Sequence, residues 1–155
     1  MLYRLFRPED FTQLYAIEQA CFEPPVRFGR RYMRALIDGI NSATWIAEDN
    51  GQMAGFAIAD WTQEANLTVA YIQTVEVSPG KRNQGIASEL LNRIETSARA
   101  AHAQFIWLHV AEQNSAAIRL YEARGFLSQG REENYYGSSH HALIYAKPLE
   151  RIPAV

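Results

Sequence analysis

The stretch from Tyr71 to Leu91 limits what this chain can become more than any other. An apolar strand runs through a short basic loop straight into a helix, with Arg82-Asn83-Gln84-Gly85-Ile86-Ala87 at the junction. The first N–H groups of a helix have no partner inside it and lie at the positive end of its dipole. A chain entering a helix this way can therefore turn several backbone donors toward a phosphate. Gly85 lets the backbone come close, Ala87 keeps the first turn free of bulk with Ser88 behind it, and Lys81 and Arg82 add positive charge at the rim. A plain surface β-to-α turn that starts its helix at a glycine has the same local pattern, so this stretch alone leaves both readings open.

Size and composition narrow the setting. A chain of 155 residues, 48% of them hydrophobic, fits one domain over 1–155 and can bury a core without disulfides. A formal net charge of −2 offers nucleic acid or an anionic membrane no general attraction, so neither is expected as a partner. Cys21, the single cysteine, cannot close an internal disulfide, which fits a reducing compartment, and it reads as a buried helix-end residue. No histidine or cysteine cluster has metal-ligand spacing, so no metal is expected. Without a signal-like leader or a run of transmembrane length, the expectation is a soluble cytoplasmic protein.

In chain order, Leu2 to Arg7 alternates as an edge strand and stops at Pro8. Asp10 or Thr12 can cap a helix whose apolar period uses Phe11, Leu14, Tyr15, Ile17 and Glu18 to about Ala20. The prolines of Phe22 to Phe28 make a stiff loop. A second helix is expected over Arg30 to Ile40, burying Tyr32, Met33, Leu36, Ile37 and Ile40. Ala43–Glu48 and Met53–Trp61 pair across an Asn50-Gly51 turn. A long strand, Leu67 to Val77, leads to the helix from Ile86 to Ala101, and Phe105 to Val110 is a short strand parallel to it. A helix from Asn114 closes at Gly125, Ser128–Tyr136 and His141–Pro148 complete the sheet, and Glu150 onward is a frayed tail.

The R-x-x-G-x-A run after an apolar strand resembles the acyl-CoA signature of the GCN5-related N-acetyltransferase family. A second element resembles it too: Trp107-Leu108-His109-Val110, then Asn114-Ser115-Ala116-Ala117 through Tyr121 to Gly125-Phe126, in the family's order and spacing. The resemblance implies an α/β fold with a mixed central sheet of about seven strands, two parallel central strands that splay apart, and about four helices. It implies acetyl-CoA as cosubstrate. Its diphosphate would rest on Arg82, Asn83, Gln84, Gly85, Ile86, Ala87 and Ser88, and its pantetheine arm on the backbone of Val75, Glu76 and Val77. Asn114, Ala117 and Tyr121 would face it from the far side. Read without the family, Asn114 is an N-cap and Tyr121 a half-buried aromatic.

Acetyl transfer requires a neutral amine, a polarised thioester carbonyl and a proton for the departing thiolate. Among family members the chain is most similar to N-terminal protein acetyltransferases of the ribosomal-protein alanine and NatE catalytic-subunit types. The Tyr71-Ile72-Gln73-Thr74 strand and the Leu108-His109-Val110 strand match the latter, which implies His109 and Tyr71 as the base pair. An imidazole accepts a proton near neutral pH, directly or through water. Tyr121 is placed at the coenzyme A sulfur and the N–H near Val77 at the carbonyl oxygen. Glu76 is the alternative base, although alternation puts it on the opposite strand face from Val75 and Val77.

Pro25-Val26-Arg27-Phe28 and Asn134-Tyr135-Tyr136 resemble the family's two peptide-gripping segments, so Phe28, Gln73, Tyr135 and Tyr136 are the expected substrate contacts. Two departures stand out: Glu23 and Pro24 are extra, and Phe28 replaces a tyrosine. The leading expectation is transfer from acetyl-CoA to a protein N-terminal α-amine by a monomer or homodimer. Transfer to a small-molecule amine, or a non-catalytic acyl-CoA-binding module, are the alternatives.

Overall fold

The computed structural model describes residues 1–149. Its strands are β1 (Leu2–Leu5), β2 (Ser42–Asp49), β3 (Gln52–Glu64), β4 (Leu67–Val77), β5 (Phe105–Ala111), β6 (Leu127–Gly137) and β7 (His140–Pro148). Its helices are α1 (Phe11–Cys21), α2 (Arg30–Ile37), α3 (Ile86–Ala100) and α4 (Ser115–Ala123). The strands form one sheet in the order β1-β2-β3-β4-β5-β7-β6. Every pairing is antiparallel except β4 with β5, which the α3 crossover makes parallel. The described residues form the expected mixed seven-stranded sheet with four helices.

Local chemistry accounts for the early elements. Asn50 (φ 50°) and Gly51 (φ 81°) both adopt the left-handed conformation that a two-residue hairpin turn demands, and Asp49 pairs with Gln52 across it. Asp10 does not cap α1 through its side chain. Its carboxylate instead accepts from Arg7 N–H at 2.7 Å and from both ends of the Arg4 guanidinium at 2.8 and 2.9 Å, tying β1 to the start of α1. That forked pair holds Asp10 below the usual carboxylate range, the Arg4 hydrogen bonds being the main cause.

Two expectations fail along α2. The helix ends at Ile37, with Asp38 as its C-cap, because Gly39 favours neither the helix nor its continuation. Ile40, expected inside, is 96% exposed, and Tyr32 is 53% exposed. Only Met33 of the expected set is fully buried. β1 also stops at Leu5 rather than Arg7. The tail expected from Glu150 lies outside the described residues.

Two apolar layers flank the sheet. One side holds Phe11, Leu14, Ile17 and Met33 of α1 and α2 against Ile46, Phe56 and Ile58. The other holds Leu90, Leu91 and Ile94 of α3 against Ile72, Ile106 and Leu108, with α4 covering the same face through Ile118, Leu120 and Tyr121. Each fully buried Leu or Ile contributes about 2 kcal/mol relative to an exposed one.

One irregularity in β4 matters more than the regular pairing. Ile58 of β3 pairs with Thr74 and Ala59 with Ile72, so Gln73 is a bulged residue without a partner opposite it. Side chains before and after it therefore change faces. Ala70 and Ile72 pack on the α3 side, and beyond the bulge it is Val75 and Val77 that do so. Thr74 and Glu76, paired with Ile58 and Phe56, turn toward α1, the face that Tyr71 also occupies.

Candidate active site

β4 and β5 are paired only from Val69–Phe105 to Ile72–Leu108. Beyond that point β4 continues to Val77 against β3, and β5 continues to Ala111 against β7, so the strands diverge. A cleft opens between them. Gln73, Thr74 and Val75 form one wall and His109, Val110 and Ala111 the other. Asn114, Ala117 and Tyr121, spaced along one face of α4, close it from one side of the sheet. Phe22, Val26 and Phe28 from the α1–α2 loop, with Tyr136, stand over it on the opposite side.

The entrance of α3 lies beside the end of β4. Asn83 (φ 63°) and Gly85 (φ 77°) both take left-handed backbone, which turns the chain abruptly into the first helical turn. Gly85 supplies no capping side chain, and a β-carbon there would meet nothing within 4 Å, so the helix start is uncovered. Arg82 through Gly85 are exposed and Ile86 is buried, anchoring the turn in the core. The rim charge differs from expectation. Lys81 pairs with Asp49 at 2.9 Å, while Arg82 folds back onto Val77 O at 3.3 Å and Cys21 Sγ at 3.4 Å. Burial pushes the Cys21 thiol above its ordinary value, which leaves it inert at neutral pH.

On the α1 side of the sheet, Tyr71 Oη lies 2.7 Å from His109 Nδ1. His109 Nε2 lies 2.6 Å from Glu132 Oε2 of β6, so both ring nitrogens are engaged. The Tyr135 ring stacks on the imidazole at 3.8 Å and 10°, and Trp107 meets Tyr71 edge-on at 4.7 Å. Tyr135 Oη stands 3.3 Å from Tyr71 Oη. Burial first, then the Tyr135 hydrogen bond, pushes the Tyr71 phenol well above its usual value, so it stays protonated at rest. Tyr121 is likewise raised, by burial, and keeps its proton facing the cleft.

A second polar group was not foreseen. Glu18, the polar member of the α1 face, is fully buried, and its Oε2 accepts the Phe28 N–H at 3.0 Å. Tyr15 Oη donates to Phe28 O at 3.0 Å, so both backbone groups of Phe28 are held from α1. Glu76 lies behind Thr74, whose hydroxyl donates to it at 2.7 Å, and its carboxyl is close enough to Glu18 for the two to form an acidic pair. Burial, then the neighbouring Glu18, raises the Glu76 carboxyl well above the usual range. The bulge at Gln73 puts Glu76 on the same face as Tyr71, but buried in this pair and away from the cleft wall.

The remaining expected residues fall around the mouth. Gln73 lines the cleft and donates to Asp60 Oδ2 at 2.7 Å. Asn114 acts as the N-cap of α4, accepting Ala117 N–H at 3.2 Å, and lines the cleft as well. A β-carbon on Gly137 would come 3.1 Å from Pro25 Cγ, so the β6–β7 hairpin and the α1–α2 loop nearly touch over the opening. Among the described residues no group of acidic, histidine or cysteine side chains could hold a metal ion. No helix there is long and apolar enough to cross a membrane.

The chain and its fold are similar to known proteins along most of their length. The chain is 30% identical to the bS18-alanine N-acetyltransferase of Haemophilus ducreyi over 142 residues, covering 89% of this chain and 93% of that protein. It is 25% identical to histone acetyltransferase MCC1 of Arabidopsis thaliana over 90% of its own length, and spans 65% of that protein. Its fold superimposes on the crystal structure of the Escherichia coli ribosomal-protein-S18-alanine N-acetyltransferase with a TM-score of 0.83, at 25% identity, covering 99% of this chain and 96% of the other. Residues 11–126 match the family model of the acetyltransferase (GNAT) family; the chain belongs to that family and is an acetyl-CoA-dependent N-acetyltransferase.

Proposed function

We propose that the chain acetylates the α-amino group of a protein or peptide N-terminus by direct transfer from acetyl-CoA. The observation that carries this reading is the Tyr71–His109 hydrogen bond of 2.7 Å at the parting of β4 and β5, beneath two aromatic walls. Those walls, Phe28 from one element and Tyr135 and Tyr136 from another, frame a slot suited to an extended backbone. Two relatives named as ribosomal-protein alanine N-acetyltransferases support the choice of acceptor.

In this reading the diphosphate of acetyl-CoA docks on the α3 entrance, Arg82 through Ser88, where unpaired helix donors and the dipole favour it. The pantetheine arm adds to the free edge of β4 at Val75, Glu76 and Val77, and an N–H near Val77 takes the thioester oxygen. That is why side chains at those positions matter little. Asn114 and Ala117 bound the arm from α4.

The amine arrives from the α1 side. With both nitrogens of His109 occupied, the ring receives the proton through Tyr71 rather than from the amine itself. The amine gives a proton to the Tyr71 oxygen as Tyr71 passes its own to Nδ1. Because the Tyr71 phenol is too weak an acid to ionise beforehand, the two movements coincide. The C–N bond forms, the C–S bond breaks, and the thiolate is hydrogen-bonded by Tyr121. That phenol is raised above its usual value, so it shields the sulfur while solvent supplies the proton.

The test is purified protein with acetyl-CoA and a library of peptides varying at the first residue, read by coenzyme A release and by mass spectrometry. Acetylation of the α-amine is the expected result. Release confined to lysine side chains or to small amines would reject the acceptor assignment.

A further inference from the structure

Resting on the assignment of Tyr71 and His109 as the base pair, we infer that Glu132 is a positioning residue for transfer, holding His109 in the tautomer that accepts from Tyr71. A carboxylate has only acceptors, so at 2.6 Å the imidazole must present Nε2–H to it. In the neutral ring this leaves Nδ1 a bare lone pair, and Tyr71 then has to donate across its 2.7 Å contact. The other tautomer would set a nitrogen lone pair against a carboxylate and turn Tyr71 around, with its hydrogen away from the base. Tyr135, stacked flat on the ring, fixes the plane but carries no information about which nitrogen is protonated.

The surroundings reserve Glu132 for this task. The two nearby carboxylates pair with another side chain: Arg131 donates to Glu112 at 2.6 Å and to Glu133 at 3.0 Å. Among the described residues Glu132 has no ionic partner but His109. The His109 side chain is 8% exposed, whereas that of Glu132 is 49% exposed, so the carboxylate covers the solvent side of an otherwise enclosed ring. When Tyr71 delivers its proton, an imidazolium forms against this carboxylate. Glu132 balances the charge and takes up no proton.

The experiment compares wild type with Glu132→Ala and Glu132→Gln, using Tyr71→Phe as reference. Steady-state kinetics are combined with long-range proton–nitrogen NMR of the imidazoles, His109 being assigned by its loss in His109→Ala. Wild type should show Nε2–H with a bare Nδ1. Glu132→Ala should mix the tautomers and lower kcat about tenfold or more, with acetyl-CoA KM unchanged. Glu132→Gln, which can still accept from Nε2–H, should keep the tautomer and recover part of kcat. Unchanged kcat and an unchanged tautomer in Glu132→Ala, or Nδ1–H in wild type, would overturn the inference. Full activity in Tyr71→Phe would instead strike at the base-pair assignment, independently of Glu132.

Discussion

A β-carbon built on Gly55 would stand 2.5 Å from the carbonyl oxygen of Glu76 and 3.3 Å from Leu90 Cδ1. β3 thus presses its backbone against the end of β4, beside the edge that diverges from β5. Gly55→Ala has no flexible neighbour to displace, because the clash is with main chain. It should cost about 1–3 kcal/mol in a urea unfolding experiment. It should also raise the acetyl-CoA KM, since the displaced segment is the one that would hold the pantetheine arm. Wild-type stability in the variant would show that β3 and β4 are not so closely seated.

Tyr71→Phe removes the hydroxyl between acceptor amine and imidazole and leaves the ring packed on Trp107. Turnover should fall about 100-fold or more, the usual scale for losing a positioned proton acceptor. His109→Ala should act on the same step, so the double variant should be no worse than the poorer single one. Calorimetric affinity for acetyl-CoA should stay within about twofold in all three, because neither side chain lies along the proposed cosubstrate path.

Glu76 gives a pH signature to stability. Its folded pKa lies well above the ordinary 4.5, so between those values the folded protein holds a proton that the unfolded chain releases. The contribution is complete below the ordinary value and is lost as pH rises through the raised one. Tm should therefore decline as pH increases across that window, and Glu76→Gln, permanently neutral, should flatten the decline. Parallel slopes for wild type and variant in scanning calorimetry would exclude the Glu18–Glu76 pair as their source.

Gly85 has φ of 77° with open space around the missing side chain, so Gly85→Ala introduces backbone strain and no collision. The loss of stability should be small, about 1–2 kcal/mol. The acetyl-CoA KM should rise further than that of a remote variant of equal stability, because the first helical N–H groups lose their aim. Equal KM values for the two would place the diphosphate elsewhere.

Much of this was legible from residues alone. The Asn50-Gly51 hairpin, the strand-to-helix junction at Gly85 and the Asn114 cap are local signals, and each gives the expected element. The end of α2 was misread because Leu36, Ile37 and Ile40 keep a helical period that Asp38 and Gly39 interrupt. Glu132 carries no local signal at all. It meets His109 only because β7 lies between β5 and β6, a pairing across 23 residues of sequence. Glu76 does lie opposite Val75 and Val77 as alternation requires, but the face it shares with Tyr71 was hidden for a related reason: periodicity assumes an unbroken pleat, and the bulge is defined by the partner strand. Glu18 did offer a hint, as a carboxylate placed on an otherwise apolar helical face.

The bulge at Gln73 makes β4 two half-strands of opposite parity. Deleting that single residue would join Ile72 to Thr74 in unbroken alternation, with both halves keeping their partners on β3 and their present faces, and would take away only the cleft-lining side chain and the kink that carries it. The shortened chain should therefore still yield soluble protein while turnover falls, and a deletion scan sorted once for solubility and once for acetyl transfer would separate at Gln73.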